Sequence, residues 1–170
     1  HDKDERAHYA AASTDIQYAY PFGKKELWGI ANRTDFDLKA QSQGSGKDIT
    51  YFDEPSGKRF TPYVIEPSVG VSRLMLALLH SAYHEEDVNG EKRVVLKFTP
   101  EIAPVKVAVL PLSKKPELSK LAMEVFDSIS DKYRTEYDET QSIGRRYRRQ
   151  DEIGTPLCVT VDFESLDDKK

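Results

Sequence analysis

The sequence predicts two regions of different class, an α+β region through about residue 100 and then a smaller α/β region with a mostly parallel sheet. Three observations carry this reading. Short runs that alternate apolar and polar residues, separated by Gly- and Pro-containing turns, fill the first part. Among them stands one strongly apolar run, Leu74-Met75-Leu76-Ala77-Leu78-Leu79, too continuous for an exposed helix. Beyond Pro104 the order strand, helix, strand, helix, strand implies parallel strands joined by crossover helices.

Residues 2–12 are compatible with a helix. Asp15 to Tyr20 alternates as a half-buried strand does, Pro21-Phe22-Gly23 breaks it, and Glu26 to Ala31 reads as the next strand. Gln41 to Lys47 is polar and contains glycine, which reads as a loop. Ile49 to Phe52 and Arg59 to Pro62 flank a Pro55-Ser56-Gly57-Lys58 turn and predict a hairpin. A helix from about Val69 to Tyr83 is apolar on nearly all sides and is expected to be buried. Glu85 to Lys92 is charged and reads as a loop, and Pro100 and Pro104 bracket a linker. The domain boundary is therefore placed near residue 100, giving regions 1–100 and 101–170.

In the second region Val105 to Leu110 is an apolar strand that ends at Pro111. Pro116 suits the first position of a helix, and Leu118, Leu121, Ala122, Val125 and Ile129 form its apolar stripe. A short strand near Arg134 to Tyr137, a helix over Ile143 to Ile153 and a strand at Leu157 to Val161 follow, with a charged tail from Asp162 to Lys170. Three strands are few for such a sheet, so the second region reads as incomplete.

Composition narrows the function classes. The chain has 170 residues and a net charge of −4, so nucleic acid or membrane attraction requires a local basic patch. The one dense patch is Arg145, Arg146, Arg148 and Arg149, interleaved with Tyr147; on a helix these spread over more than one face. They read equally as phosphate contacts or as a solvated helix paired with Asp151, Glu152 and the acidic tail. Cys158, the single cysteine, lies in an apolar run and reads as a reduced, buried thiol. His80 and His84 are spaced i,i+4, which suits zinc, but a solvated last helical turn is the plainer reading. No run of about 18 apolar residues is present and no signal peptide is visible. The chain opens without methionine and reads as a piece of a larger protein.

The chemistry concentrates at Val64-Ile65-Glu66-Pro67-Ser68-Val69-Gly70-Val71-Ser72-Arg73. An extended approach brings a carboxylate and a hydroxyl to one place, and the helix that follows directs free N–H groups and its positive dipole end there. Gly70 and Arg73 are i and i+3, so the guanidinium reaches over a spot the glycine leaves uncrowded. An acid for a cationic amine and an arginine for a phosphate or aromatic ring are the means of holding an amino acid beside a nucleotide. The plain alternative is a strand end followed by a helix capped by Ser68.

Phe22-Gly23-Lys24-Lys25-Glu26-Leu27-Trp28-Gly29-Ile30-Ala31-Asn32-Arg33-Thr34-Asp35-Phe36-Asp37-Leu38 resembles the matching segment of dimeric glycyl-tRNA synthetases. Val64 to Arg73 resembles their class II motif 3. Ile102 to Leu110, with Ser142 to Pro156, is similar to the anticodon-binding domain of class IIa enzymes. The resemblance implies the C-terminal part of an antiparallel-sheet catalytic domain, followed by a truncated anticodon-binding domain. It also implies ATP-dependent activation of glycine and transfer to tRNA. Carried over by position, Glu66, Ser68 and Glu26 contact glycine, while Glu26, Leu27, Gly70 and Arg73 contact ATP. Arg33 and Asp35 stand one layer behind; the alternative for them is a surface pair with each other. Arg145, Arg146, Arg148 and Arg149 become tRNA contacts. ATP enters with Mg2+ as a substrate complex, no tightly bound cofactor is expected, and no magnesium ligand is identified. A homodimer and a cytoplasmic location are implied for the intact enzyme. Gln41 departs from the histidine of many relatives. Motifs 1 and 2 are absent from these residues, so this stretch alone is expected to be inactive. The alternative is a non-catalytic, synthetase-like accessory subunit that binds nucleic acid beside a DNA polymerase.

Overall fold

Pro21 and Phe22 turn the first alternating run back on itself. In the computed structural model, which describes residues 7–168, β1 (Ala12–Tyr20) pairs antiparallel with β2 (Gly23–Asn32) from Tyr20 opposite Gly23 to Ala12 opposite Asn32. Residues 2–6 of the expected first helix lie outside the described residues. The described remainder is a turn closed by the Ala10 N–H on the Ala7 carbonyl, so the described residues before β1 form no helix.

α1 (Phe36–Ser45) replaces most of the loop expected at Gln41 to Lys47. It has no buried residue, so no apolar period betrays it. Gly46, read as a loop residue, is instead its left-handed C-cap at φ 68°, donating to the Ser42 carbonyl at 2.9 Å. β3 (Tyr51–Asp53) and β4 (Lys58–Phe60) form the expected hairpin. β5 (Ile65–Val69) pairs antiparallel with β2, giving a sheet of order β1-β2-β5.

α2 (Val71–Ala82) begins with the Leu74 N–H on the Gly70 carbonyl. Ser68 is thus a strand residue and not its cap. The expected burial of α2 is not observed. Ala77 and Ala82 are buried, but Val71 is 80% exposed and Met75 60%. Tyr18 and Tyr20 of β1 hold the Ala77 and Arg73 carbonyls, and this one face is what the helix presents to its sheet.

The charged stretch read as a loop is a hairpin. β6 (Tyr83–Val88) and β7 (Glu91–Leu96) meet at Asn89-Gly90, with φ 57° and 84°. Asn-Gly is a strong hairpin signal, and the surrounding charge obscured it because both strands are largely exposed. His80 and His84 consequently sit in different elements, the helix and β6, and do not share a helical face. Contacts divide the chain between His80 and Ser81, not near residue 100. The hairpin goes with the second unit because Arg93 of β7 pairs with Asp151 at 3.2 Å. Leu96 and Phe98 also close on Gly154, where a Cβ would lie 2.7 Å from the Leu96 carbonyl oxygen.

β8 (Val107–Pro111) is buried throughout and central in a parallel sheet of order β10-β8-β9. α3 (Pro116–Ser130) follows with Pro116 at its first turn, then β9 (Thr135–Tyr137), α4 (Ile143–Ile153) and β10 (Leu157–Val161). Val109, Leu118, Ala122 and Val161 form the core, joined by Leu121, Val125, Phe126, Ile129, Tyr137 and Leu166. The charged tail contains α5 (Phe163–Asp168), whose start is fixed by Asp162 accepting from the Ser165 N–H and hydroxyl at 3.0 and 2.9 Å. Cys158 is half-buried; burial and, after it, Asp151 push its thiol pKa up. The architecture is thus antiparallel sheets followed by a parallel sheet.

Candidate functional site

Alternation along β2 and β5 sorts their residues by face. Gly29 lies opposite Ser68 and Ala31 opposite Glu66, so these four share one face, while Trp28, Ile30, Pro67 and Val69 share the other. Asp15 lies opposite Gly29 on the β1 side. A shift in register between Ile16 and Gln17 leaves Leu27 as the extra residue of a β-bulge. The bulge returns Glu26 to the Gly29 face: a Cβ at Gly29 would meet Glu26 Oε1 at 3.3 Å and Asp15 Oδ1 at 3.7 Å. One face therefore carries acids at its edges and only the small side chains of Gly29, Ala31 and Ser68 between them.

Two arginines organise the acids. Arg73 Nη1 donates to the Glu26 carbonyl at 3.0 Å and lies 3.4 Å from Glu26 Oε2. With Tyr20, Phe22, Lys25 and Leu76 this pair lines a concavity of about 400 Å³. Phe22 stacks on Tyr20 there, with centroids 5.1 Å apart. A Cβ at Gly70 would lie 3.6 Å from the Arg73 stem, so the side chain runs back along the glycine as its spacing suggests.

Arg33 takes the other acid. Its Nη1 donates to Glu66 Oε2 at 2.7 Å, while Nε and Nη2 donate to the two oxygens of Asp37 at 2.5 and 2.9 Å. Bonds from Asp37 and then Glu66 hold the guanidinium charged well above its ordinary range, and Arg33 in turn holds Asp37 below the usual carboxylate range. Asp35 does not join Arg33; it pairs with Lys39 at 2.6 Å. Asp15, Gly29 and Asp37 escaped the sequence reading. Arg33 and Asp37 stand i,i+4 at a helix start, a signal that was present. The role of Gly29 needed the strand register.

The basic helix divides by burial. Arg146 is 2% exposed and donates to the Pro111, Glu139, Thr140 and Gln141 carbonyls, so it is a structural tie and cannot meet tRNA. Arg149 pairs with Asp138 and bonds Thr140. Arg148 pairs with Glu152 at 3.1 Å. Arg145 is exposed, with a long 3.4 Å contact to Gln141 Oε1. Among the described residues no three His, Cys, Asp or Glu side chains are grouped to hold a metal ion. No helix among them is long and apolar enough to cross a membrane.

Residues 106–170 match the family of anticodon binding domains. The glycine–tRNA ligase of Caldanaerobacter subterraneus subsp. tengcongensis is 60% identical over 170 residues, covering all of this chain and 36% of that protein. The Staphylococcus saprophyticus ligase is 58% identical over 172 residues, covering all of this chain and 37% of that protein. The Acetivibrio thermocellus ligase is 56% identical over 170 residues, 99% of this chain and 36% of that protein. The chain thus spans little more than a third of the length of the curated relatives it matches. A Giardia lamblia prolyl-tRNA synthetase in complex with prolyl-adenylate shares the fold, with a TM-score of 0.62 at 22% identity over 98% of this chain and 32% of that one. So does a Cryptosporidium parvum prolyl-tRNA synthetase with L-proline and AMP, with a TM-score of 0.62 at 16% identity over 97% of this chain and 32% of that one. Identity along the entire chain, with an anticodon-binding match over residues 106–170, makes this sequence homologous to a segment of glycine–tRNA ligases.

Proposed function

We propose that this chain supplies one wall of the glycine-binding site and part of the anticodon-binding region of a glycine–tRNA ligase. The observation that carries the reading is the face on which Glu26, Ser68 and Glu66 surround Gly29 and Ala31. Glycine has no side chain to recognise, so selection requires a grip on the ammonium together with exclusion of a β-carbon. Carboxylates supply charge-assisted hydrogen bonds to the ammonium. Glu66 and Ser68 make that grip from β5, and Glu26 closes it from β2. Arg73, with Leu27 and Gly70 beside it, meets ATP, which arrives with Mg2+ as its substrate complex. A guanidinium there serves adenine by stacking or a phosphate by charge. Activation of glycine needs no protein nucleophile; positioning and charge stabilisation at the α-phosphate suffice.

Residues 1–100 belong, in this reading, to the end of a class II catalytic domain and 101–170 to an anticodon-binding domain. The family match from residue 106 supports that division by descent, although the β6–β7 hairpin packs with the second unit. Arg145 is the exposed arginine left for tRNA phosphate. The intact ligase is a cytoplasmic homodimer. The accessory-subunit alternative gains no support from the relatives, which carry the ligase name.

Amino-acid-dependent ATP–pyrophosphate exchange by the intact parent protein tests the proposal. Exchange with glycine alone, abolished by Glu66→Ala, is the expected result. The 170 residues by themselves, lacking motifs 1 and 2, are expected to catalyse none. Exchange with another amino acid, or with none, would remove the reading.

A further inference from the structure

We propose that Arg33 is a positioning residue that aims the Glu66 carboxylate at the substrate ammonium, and that the Asn32–Asp37 turn is built to hold it. The inference rests on the ligase reading above. Three contacts fix the guanidinium plane. Asp37 takes Nε and Nη2, the Tyr9 ring lies 4.0 Å from Cζ, and the remaining edge reaches Glu66 Oε2. With one Glu66 oxygen held, the other is left in a set orientation for a ligand.

The charge count explains the second acid. An isolated Arg33–Glu66 pair would cancel the charge that attracts an ammonium. Adding Asp37 gives two carboxylates around one guanidinium, so the cluster stays net negative while Glu66 is fixed.

The backbone beneath is held in a costly shape. Thr34 is β-branched and sits at φ 55°, where such residues are outliers. Asn32 Oδ1 accepts its N–H at 3.0 Å, and its hydroxyl donates to the Arg33 carbonyl at 2.6 Å. The Arg33 N–H donates to the Val64 carbonyl at 2.9 Å, and the Val64 N–H returns to the Thr34 carbonyl at 2.8 Å. These bonds tie the turn to the chain entering β5, which carries Glu66. Partly exposed ion pairs add little to stability, and the side chains of Arg33 and Glu66 are 21% and 43% exposed. Stability alone therefore does not account for a strained turn that serves this pair. Setting the geometry of a carboxylate does.

The test is ATP–pyrophosphate exchange by the intact parent protein and its Arg33→Ala, Arg33→Lys and Asp37→Asn variants, with KM measured separately for glycine and ATP. Loss of a hydrogen bond between charged groups corresponds to about tenfold or more, so Arg33→Ala should raise the glycine KM by about that factor. The ATP KM should stay within about twofold. Arg33→Lys should fall between, because an ammonium keeps the charge but not the fork. Asp37→Asn should move the glycine KM in the same direction by less. Equal changes in both KM values, or none, from folded Arg33→Ala would overturn the proposal. If Arg33→Ala does not fold, Asp37→Asn decides by the same split. A wild-type protein without glycine-dependent exchange would remove the ligase reading and this inference with it; an active wild type with unsplit variants removes this inference alone.

Discussion

In the second unit the apolar side chains of β8 and α3 close on each other, whereas in the first the apolar side chains of α2 and its sheet stay largely at the surface. Val109, Leu110, Leu118 and Ala122 are wholly buried, while among described residues before Ser81 only Tyr20 and Ala77 are buried hydrophobics. The difference is not one of composition, since α2 is the most apolar run in the chain. It is one of layers. α3 packs on β8 and β9 and also meets α5, while α2 offers one face to two tyrosines. A hydrophobic stripe is worth what covers it.

The largest effect that sharpens the contrast is Leu118→Ala. It should cost about 2–5 kcal/mol through an unfilled cavity, whereas Met75→Ala on exposed α2 should stay within about 0.5 kcal/mol. Urea unfolding of the 170-residue chain measures both, with Trp28 fluorescence following the first unit. Comparable losses would break the comparison.

Arg146→Met follows, at about 3 kcal/mol, because buried carbonyls lose their donors. Its neighbour gives the reverse pattern. Arg145→Ala should leave stability within about 0.5 kcal/mol but lower the salt dependence of tRNA binding by about one phosphate contact.

Gly154→Ala should cost about 2 kcal/mol. The residue sits at φ 77°, and its new methyl would meet Phe98 Cδ2 at 2.6 Å. The same change at exposed Gly44, with open space around it, should be near neutral or slightly stabilising.

The smallest effect is acid sensitivity. Burial raises the Asp138 pKa, but bonds from Thr140 and Arg149 outweigh it and hold the carboxyl below the usual range. A depressed carboxylate stabilises fully above its unfolded pKa, and that contribution disappears as pH falls through the folded value. Stability of the second unit should therefore drop below about pH 4, and Asp138→Asn should flatten that slope in pH-dependent unfolding.

Much of this architecture could be read before any coordinates. The parallel order after Pro104, the turn at Pro21-Phe22 and the apolar stripe of α3 all follow from periodicity and punctuation, which are local properties. α1 and the β6–β7 hairpin were missed because neither has a buried side of any extent to impose a period. Their capping glycine and Asn-Gly turn were the only marks left.

At the site, Ser68, Glu66 and Arg73 could be picked out by residue type and motif spacing, and Glu26 by the family resemblance of its segment. Their pairing could not. A bulge at Leu27 and the opposition of Gly29 to Ser68 decide which acids share a face, and these are matters of strand register. Four adjacent arginines looked alike along the chain, yet burial makes Arg146 a clasp for carbonyls and leaves Arg145 at the surface. Chemical type and local period are written residue by residue. Which charge faces which, and whether an apolar face is covered, depends on groups distant in the chain, and only the folded arrangement brings those together.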